Sequence, residues 1–259
     1  MICDPVKLEK LKQALLPELP VQAVYDAYAG AAGKELAGKF FEPRSSSALA
    51  ANAFGFFLSR PELLPAIPGT ESHNWPAKSV ALEAVVRFPW SGGRHPHLDA
   101  LITTSTALIG IESKRYEPFD DPGAADWSEA YWRDCWGDLM AHYKTVRDSL
   151  RPALRFSHLG ATQLVKHAFG LRTQAHKRRI HAVLIYLYAE PSAWPDGTAI
   201  PSSTHEAHRR EVKHFADLVS GDEVEFVSCS YSNLLNGWRQ SDLVELGAHA
   251  DRLAAAFLL

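Results

Sequence analysis

Asp99, Glu112 and Lys114 are the residues of this 259-residue chain whose types and spacing could carry chemistry together. They bracket two short apolar runs, Leu98–Thr103 and Ala107–Ser113, joined by Thr104, Ser105 and Thr106. Short β-branched runs with small polar residues at the reversal read as a β-hairpin. Paired positions in an antiparallel hairpin have numbers of constant sum, so a turn centred between Ser105 and Thr106 sets Asp99 opposite Glu112. Opposed residues hold their Cβ atoms about 4.5–5.5 Å apart on one face. Lys114, two residues on, shares that face. Facing carboxylates repel, and a divalent cation between them removes the repulsion; carboxylate oxygens are the ligands Mg²⁺ takes. Ion pairing of Lys114 with Glu112 or Asp99 is the competing explanation.

Leu101 and Leu108 fall on the carboxylate side of this hairpin, and Ile102, Ile109 and Ile111 on the other. A strand apolar on both faces is buried on both. Charge at the end of such a strand has to be paired or metal-bound. An Asp, a spacer of about a dozen residues and Glu-x-Lys closing an apolar strand resemble the PD-(D/E)XK nuclease superfamily, with Asp99 and Glu112-Ser113-Lys114 as the motif residues. Leu98 stands where that family usually has a proline.

The resemblance implies Asp99 and Glu112 as Mg²⁺ ligands, with Mn²⁺ able to replace Mg²⁺, and the Ser113 backbone carbonyl as a third protein ligand. It gives Lys114 the task of orienting a water or stabilising charge on phosphorus. It also implies a further acid from the preceding helix or first strand. Glu83, within Leu82–Phe88, is the first choice, ahead of Glu35 and Glu42; a plain edge-strand Glu is the alternative. The helix after the hairpin often sends a polar residue into the site of such proteins, which makes Gln163 a site residue, with a surface amide as the alternative. The run Ser45-Ser46-x-Ala48-x-x-x-Asn52-x-Phe54 is similar to one branch of the superfamily. Asn52 is expected either at the site or in capping and a local helix hydrogen bond.

The net charge of −3 hides an uneven distribution: residues 141–181 carry nine Lys or Arg against one acid, Asp148. Such an excess is the footprint of a polyanion-binding surface. Lys166, Arg172, Lys177, Arg178 and Arg179 are accordingly expected to bind nucleic acid, on the side of the sheet that carries Asp99. For Lys144–Arg155 alone, a solvated helix face accounts for the charge equally well. His95 and His97 form an H-x-H pair without a third zinc ligand at sensible spacing, and His205-Glu206-Ala207-His208 is one residue short of a zinc-protease motif and reads as a helix surface. Cys3, Cys135 and Cys229 lack metal-ligand spacing and suit a reducing cytoplasm. The longest clear apolar run, Ala182–Ala189, is far short of a membrane span, and the N-terminal residues show no secretory segment. A cytoplasmic protein with no membrane partner is expected.

Residues 4–30 read as helices interrupted by Pro17 and Pro20, and Ser45–Ser47 as the N-cap of a helix ending before Pro61. A strand at Leu82–Phe88 and the hairpin follow. A helix is then expected from Asp126 to about Leu150, with Trp132, Trp136, Leu139 and Tyr143 as its apolar stripe, and a second helix over 159–171. The run 180–190 is the most β-like of the chain and is expected to be central. A helix Thr204–Val219, a strand Val224–Tyr231 and a helix from Asp242 complete the order. That order predicts a single α/β domain over 1–259, a three-layer α/β/α sandwich around a mixed central sheet. The resemblance places a restriction-endonuclease-like αβββαβ core over about 45–190, with a helical preface over 1–44 and an α/β extension over 191–259.

The expected activity is Mg²⁺-dependent phosphodiester hydrolysis on nucleic acid, DNA ahead of RNA; cutting both strands of a duplex would suit a homodimer. Two other readings stay open. One is a nucleic-acid-binding protein on the same fold without turnover. The other is a metal-free structural or partner-binding domain in which the charges form an ion-pair network.

Overall fold

A computed structural model describes residues 4–30, 35–120, 127–150 and 155–259. Cys3, Asp126 and Arg151 lie outside the described residues. Five strands form one sheet in the order β1 (Ser79–Val85), β2 (His97–Thr103), β3 (Ala107–Lys114), β4 (His181–Tyr188) and β5 (Val224–Ser230). The first three are antiparallel, and β3–β4 and β4–β5 are parallel. The pairing therefore changes character at β3, the middle strand, which is buried from Ala107 to Ser113. The β-like run 180–190 forms β4, interior but one place from the centre.

Helices cover both faces, giving an α/β sandwich around a mixed open sheet. On one face α1 (Pro5–Ala14), α2 (Val21–Gly30), α3 (Ser46–Phe54), α7 (Tyr231–Arg239) and α8 (Val244–Phe257) pack against Ile102, Ile109, Ile111 and Ile185. On the other, α4 (Ala141–Ser149), α5 (Ala161–Arg178) and α6 (Ser202–Val219) pack against Leu108, Leu184 and Tyr186. The two-sided apolar pattern of the hairpin is thus filled from both sides, with Leu101 at the margin of the second core. The C-terminal stretch contributes β5 to the same sheet and α7 and α8 to the first core. No helix among the described residues is long and apolar enough to cross a membrane.

Local chemistry sets the element ends. Ser45 caps α3, its hydroxyl accepting from the Ala48 N–H at 3.0 Å, and Asp4 caps α1 ahead of Pro5. In the hairpin turn the Thr104 hydroxyl accepts from the Thr106 and Ala107 N–H groups at 3.2 and 3.0 Å and donates to the His73 carbonyl at 2.6 Å. Paired residues run from Thr103–Leu108 to Ala100–Ile111, the register the constant sum requires.

Three expectations need correction. The segment from residue 127 to 150 is not one helix; two short 3-10 turns, Glu129–Trp132 and Asp138–Met140, precede α4. Gly137, at φ +92°, breaks the run, and a Cβ there would strike the Arg172 guanidinium. Trp136 turns inward and stacks on Phe169, while Leu139 of the supposed apolar stripe is 66% exposed. Next, α7 was not expected, although Ser230 caps it by accepting from the Asn233 N–H at 3.1 Å. Finally, His208 is fully buried rather than on a helix surface, its Nε2 lying 2.9 Å from the Tyr186 hydroxyl.

Candidate functional site

At the C-terminal end of β3 the sheet opens into a cleft of about 1100 Å³. Glu83 of β1, Asp99 of β2, Glu112 and Lys114 of β3, and Gln163 of α5 all line it. Lys114 is the hub. Its Nζ lies 2.5 Å from Glu112 Oε1 and donates to Gln163 Oε1 at 3.0 Å. The other Glu112 oxygen sits 3.0 Å from His167 Nδ1, an ion-pair contact rather than an aligned hydrogen bond. Gln163 and His167 are one helical turn apart on α5, so a single helix face meets both ends of the Glu112–Lys114 pair.

Asp99 is placed by an interruption in the sheet. The β1–β2 pairing skips Glu83 and Asp99, and the β2–β3 ladder stops at Ala100–Ile111. Glu83 adopts φ +48°, a left-handed backbone that costs a side-chain-bearing residue about 1–2 kcal/mol. Leu98 crosses over Gly110 toward α5, whereas Ala100 faces the opposite core, so strict alternation fails at Asp99. Irregular pairing of this kind is common where a strand re-aims a side chain beside a site. The Asp99 carboxylate turns into the seam between the strands and accepts from the Ser113 N–H at 2.7 Å. The Lys114 carbonyl accepts from Ala189 on the β4 side, at 2.9 Å. Alternation along the strand directs the Ser113 N–H and C=O the other way, toward Asp99. The Ser113 hydroxyl itself is taken by Tyr231, 2.7 Å away in the opposite core.

The three carboxylates are tuned apart. Burial and then the Glu112 charge push Asp99 well above the usual range, against the pull of Lys114 and the Ser113 N–H. Glu112 is pushed up by burial too, yet Lys114 and His167 win and hold it down at about 2. Burial, then Glu35 and Glu112, raise Glu83 to about 7. Burial opposes the charge on Lys114, but Glu112, Glu117 and Asp99 keep its proton bound above the normal lysine range. Glu112 thus carries the negative charge of the facing pair, and Asp99 retains a proton more readily.

Among the described residues no three His, Cys, Asp or Glu side chains converge to form a metal centre. What the cleft offers a hard divalent cation is the Asp99 and Glu112 carboxylate oxygens; Ser113 is fully buried and does not line it. Carboxylate oxygens are ligands of the kind that Mg²⁺ and Mn²⁺ take.

The weaker acid candidates, Glu35 and Glu42, line the same cleft. Asn52 does not. It ties α3 to α1 by accepting from the Leu16 N–H at 2.8 Å and donating to the Ala14 and Ala48 carbonyls. None of the five residues expected to bind nucleic acid lines the cleft. Lys166 lies over the rings of Trp127 and Tyr131, and Arg172 pairs with Glu223. Lys177, Arg178 and Arg179 are exposed at the far end of α5, beside the start of β4. α5 does cover the Glu112 face, but its basic end points away from the cleft. The cations that line the cleft are instead Lys39, Arg44, Arg87 and Arg94, beside Lys114. They come from three separate segments. His167 was legible only as a neighbour of Gln163 on one helix face.

Comparison with family models, curated proteins and solved structures found no match to this chain.

Proposed function

We propose that the protein is a divalent-metal-dependent phosphodiesterase acting on nucleic acid, DNA ahead of RNA, on a restriction-endonuclease-like core. The observation that carries this reading is the setting of Lys114: its Nζ lies between Glu112 and Gln163 at the mouth of a cleft that also takes Asp99 and Glu83. The order α3, β1, β2, β3, α5, β4, with antiparallel pairing giving way to parallel at β3, supports the αβββαβ resemblance.

In this reading Asp99 and Glu112 would hold Mg²⁺, with Mn²⁺ able to replace it. The cation would supply Lewis-acid polarisation of a phosphate and a lowered pKa for the attacking water. Lys114, beside Glu112, would stabilise charge on the phosphate oxygens. Gln163 then keeps Lys114 aimed, and His167 keeps Glu112 oriented through its second oxygen. Lys39, Arg87 and Arg94 supply positive charge for the flanking phosphates.

Incubation with plasmid, linear and single-stranded DNA and with RNA, each with Mg²⁺, Mn²⁺ or EDTA, tests the proposal. Cleavage is expected with either metal and none with EDTA. Absence of cleavage on every substrate, together with no Mn²⁺ binding by calorimetry, would overturn it. One observation favours a second reading, a metal-free ion-pair network: both Glu112 oxygens already have cationic or imidazole neighbours. That reading expects the same calorimetry to be silent.

A further inference from the structure

Beside the main cleft lies a second hollow of about 580 Å³ that shares Glu42, Arg44 and Asp120 with it. Its distinctive wall is Trp194. The Trp194 ring stacks on Tyr116 with centroids 5.4 Å apart and planes 19° from parallel, and the Arg44 guanidinium lies 4.4 Å from its centroid. Tyr116 follows Lys114 by two residues and itself lines the main cleft, so the aromatic surface continues from the strand that carries the lysine.

Trp194 is held in place by its own backbone. Its N–H donates to the Thr198 carbonyl at 2.8 Å, and its carbonyl accepts from Gly197 at 2.9 Å. The turn is closed by an Ala193–Ala199 bridge, by Gly197 at φ +88° and by the Asp196 carboxylate accepting from the Thr198 N–H. Trp194 is half-buried, packed by Tyr116 and Arg44, with part of its ring left facing the hollow. The hollow's charge is also unlike that of a phosphate site. Asp196 and Glu42 join Asp120 there, and Arg44 is already paired with Asp120. Acceptors around an aromatic face suit a flat ring that brings N–H donors, which describes a nucleobase and not a phosphate.

We propose that this hollow seats one unstacked nucleobase against Trp194, next to the nucleotide whose phosphate enters the main cleft. The substrate at that point is then single-stranded or has an extruded base. This inference rests on the nucleic-acid reading of the main cleft and adds the strand state of the substrate to it. A paired base within a duplex cannot reach the ring without leaving its stack.

The test is binding of a labelled single-stranded oligonucleotide, measured by fluorescence anisotropy in EDTA, so that cleavage plays no part. Stacking of one base predicts that Trp194→Ala weakens binding roughly 5- to 150-fold, while Trp194→Phe retains most of it. An oligonucleotide with a run of abasic sites should bind wild type about as weakly as the normal strand binds Trp194→Ala, and a blunt duplex should be indifferent to the substitution. Thermal melts of both variants establish that they are folded. Trp194 is partly exposed, and its backbone bonds survive either change. If wild type cleaves nucleic acid but Trp194→Ala binds single strands unchanged, the base site is overturned and the nuclease reading stands. If Trp194-dependent binding is present and no metal supports cleavage, the base site stands and the nuclease reading falls. Absence of binding to any strand overturns the base site, and the cleavage assay then decides the nuclease reading on its own.

Discussion

At its N-terminal end α5 brings Gln163 and His167 to Lys114 and Glu112; at its C-terminal end it finishes in Lys177, Arg178 and Arg179. The two ends are about 22 Å apart at 1.5 Å of rise per residue. At the first end His167 is buried and Gln163 exposed, and Glu112 and Lys114 each have a contact at 3.0 Å or less. The second is exposed and accounts for much of the basic excess visible in the sequence. Charge counting along a chain finds solvated charge, because solvated charge tolerates clustering. A working site is made of few charges drawn from several elements, each offset by a neighbour. The basic end of α5 stands where a helix's last carbonyls favour cations.

The comparison breaks most visibly at Glu112. Glu112→Gln removes the anion between Lys114 and His167 and should cost about 3–5 kcal/mol of stability, the usual result of breaking a buried pair. Asp99→Asn should behave in the opposite way. Burial and Glu112 already oppose the charge on Asp99, and an amide oxygen can still accept from the Ser113 N–H. The metal-free Asp99→Asn protein is expected to melt no lower than wild type, and both variants to lose cleavage. Differential scanning calorimetry in EDTA measures the difference; equal destabilisation of the two would mean that Asp99 is structurally paired as Glu112 is.

Lys114→Ala should lower cleavage by about 10²–10³-fold, the typical cost of one lost electrostatic contact to a transition state. The triple change Lys177→Ala, Arg178→Ala, Arg179→Ala should leave the rate within about threefold. Turnover of a plasmid substrate under saturating Mg²⁺ separates them, and a comparable loss in the triple variant would place substrate along the whole of α5.

The hairpin register was legible because one rule, the constant sum, fixes it once the turn is recognised. Gln163 was reached through a family likeness plus helical spacing, and the structure brings it to Lys114. The seam position of Asp99 was not legible. It depends on Glu83 holding a left-handed backbone, on Leu98 crossing over Gly110, and on a ladder that stops one pair early, all of which are tertiary. The supposed long helix failed at Gly137, where φ is positive and the Arg172 guanidinium, from a helix far along the chain, fills the space a Cβ would take. The cations of the cleft were invisible to any local window, since Lys39 and Arg44, Arg87 and Arg94, and Lys114 approach from separate elements.

The pH response sharpens the contrast between the acids. Glu83 is raised from 4.5 to about 7, so its folded state prefers the proton. The stability it contributes is complete below about 4.5 and is lost as pH rises through 7. At 1.4 kcal/mol per unit the loss amounts to about 3 kcal/mol in the metal-free protein. Glu112 moves the other way: its contribution is present above 4.5 and lost as pH falls toward about 2. His208, lowered from 6.5 to about 3 by burial, also destabilises the fold on acidification, below 6.5. Subtracting the melting curve of Glu83→Gln from that of wild type between pH 4.5 and 7 isolates Glu83. A difference that does not change across that window would show that Glu83 ionises as it does in the unfolded chain.

The smallest expected effect is on the salt dependence of binding. Arg87 and Arg94 are exposed on the segment that joins β1 and β2 at the cleft. If each meets a phosphate, replacing both with Ala should reduce the slope of log K against log salt by about 1.4, roughly 0.7 per lost contact on a single strand. The triple Lys177, Arg178 and Arg179 change removes more positive charge from the protein, so a slope governed by overall charge would fall further in the triple variant. A slope governed by where substrate lies would be nearly unchanged there. Titrations of one single-stranded oligonucleotide at several salt concentrations decide between them. A larger fall in the triple variant would move the substrate path from the cleft to the far end of α5, leaving Lys114 and its partners as a buried ion-pair cluster with no polyanion beside it.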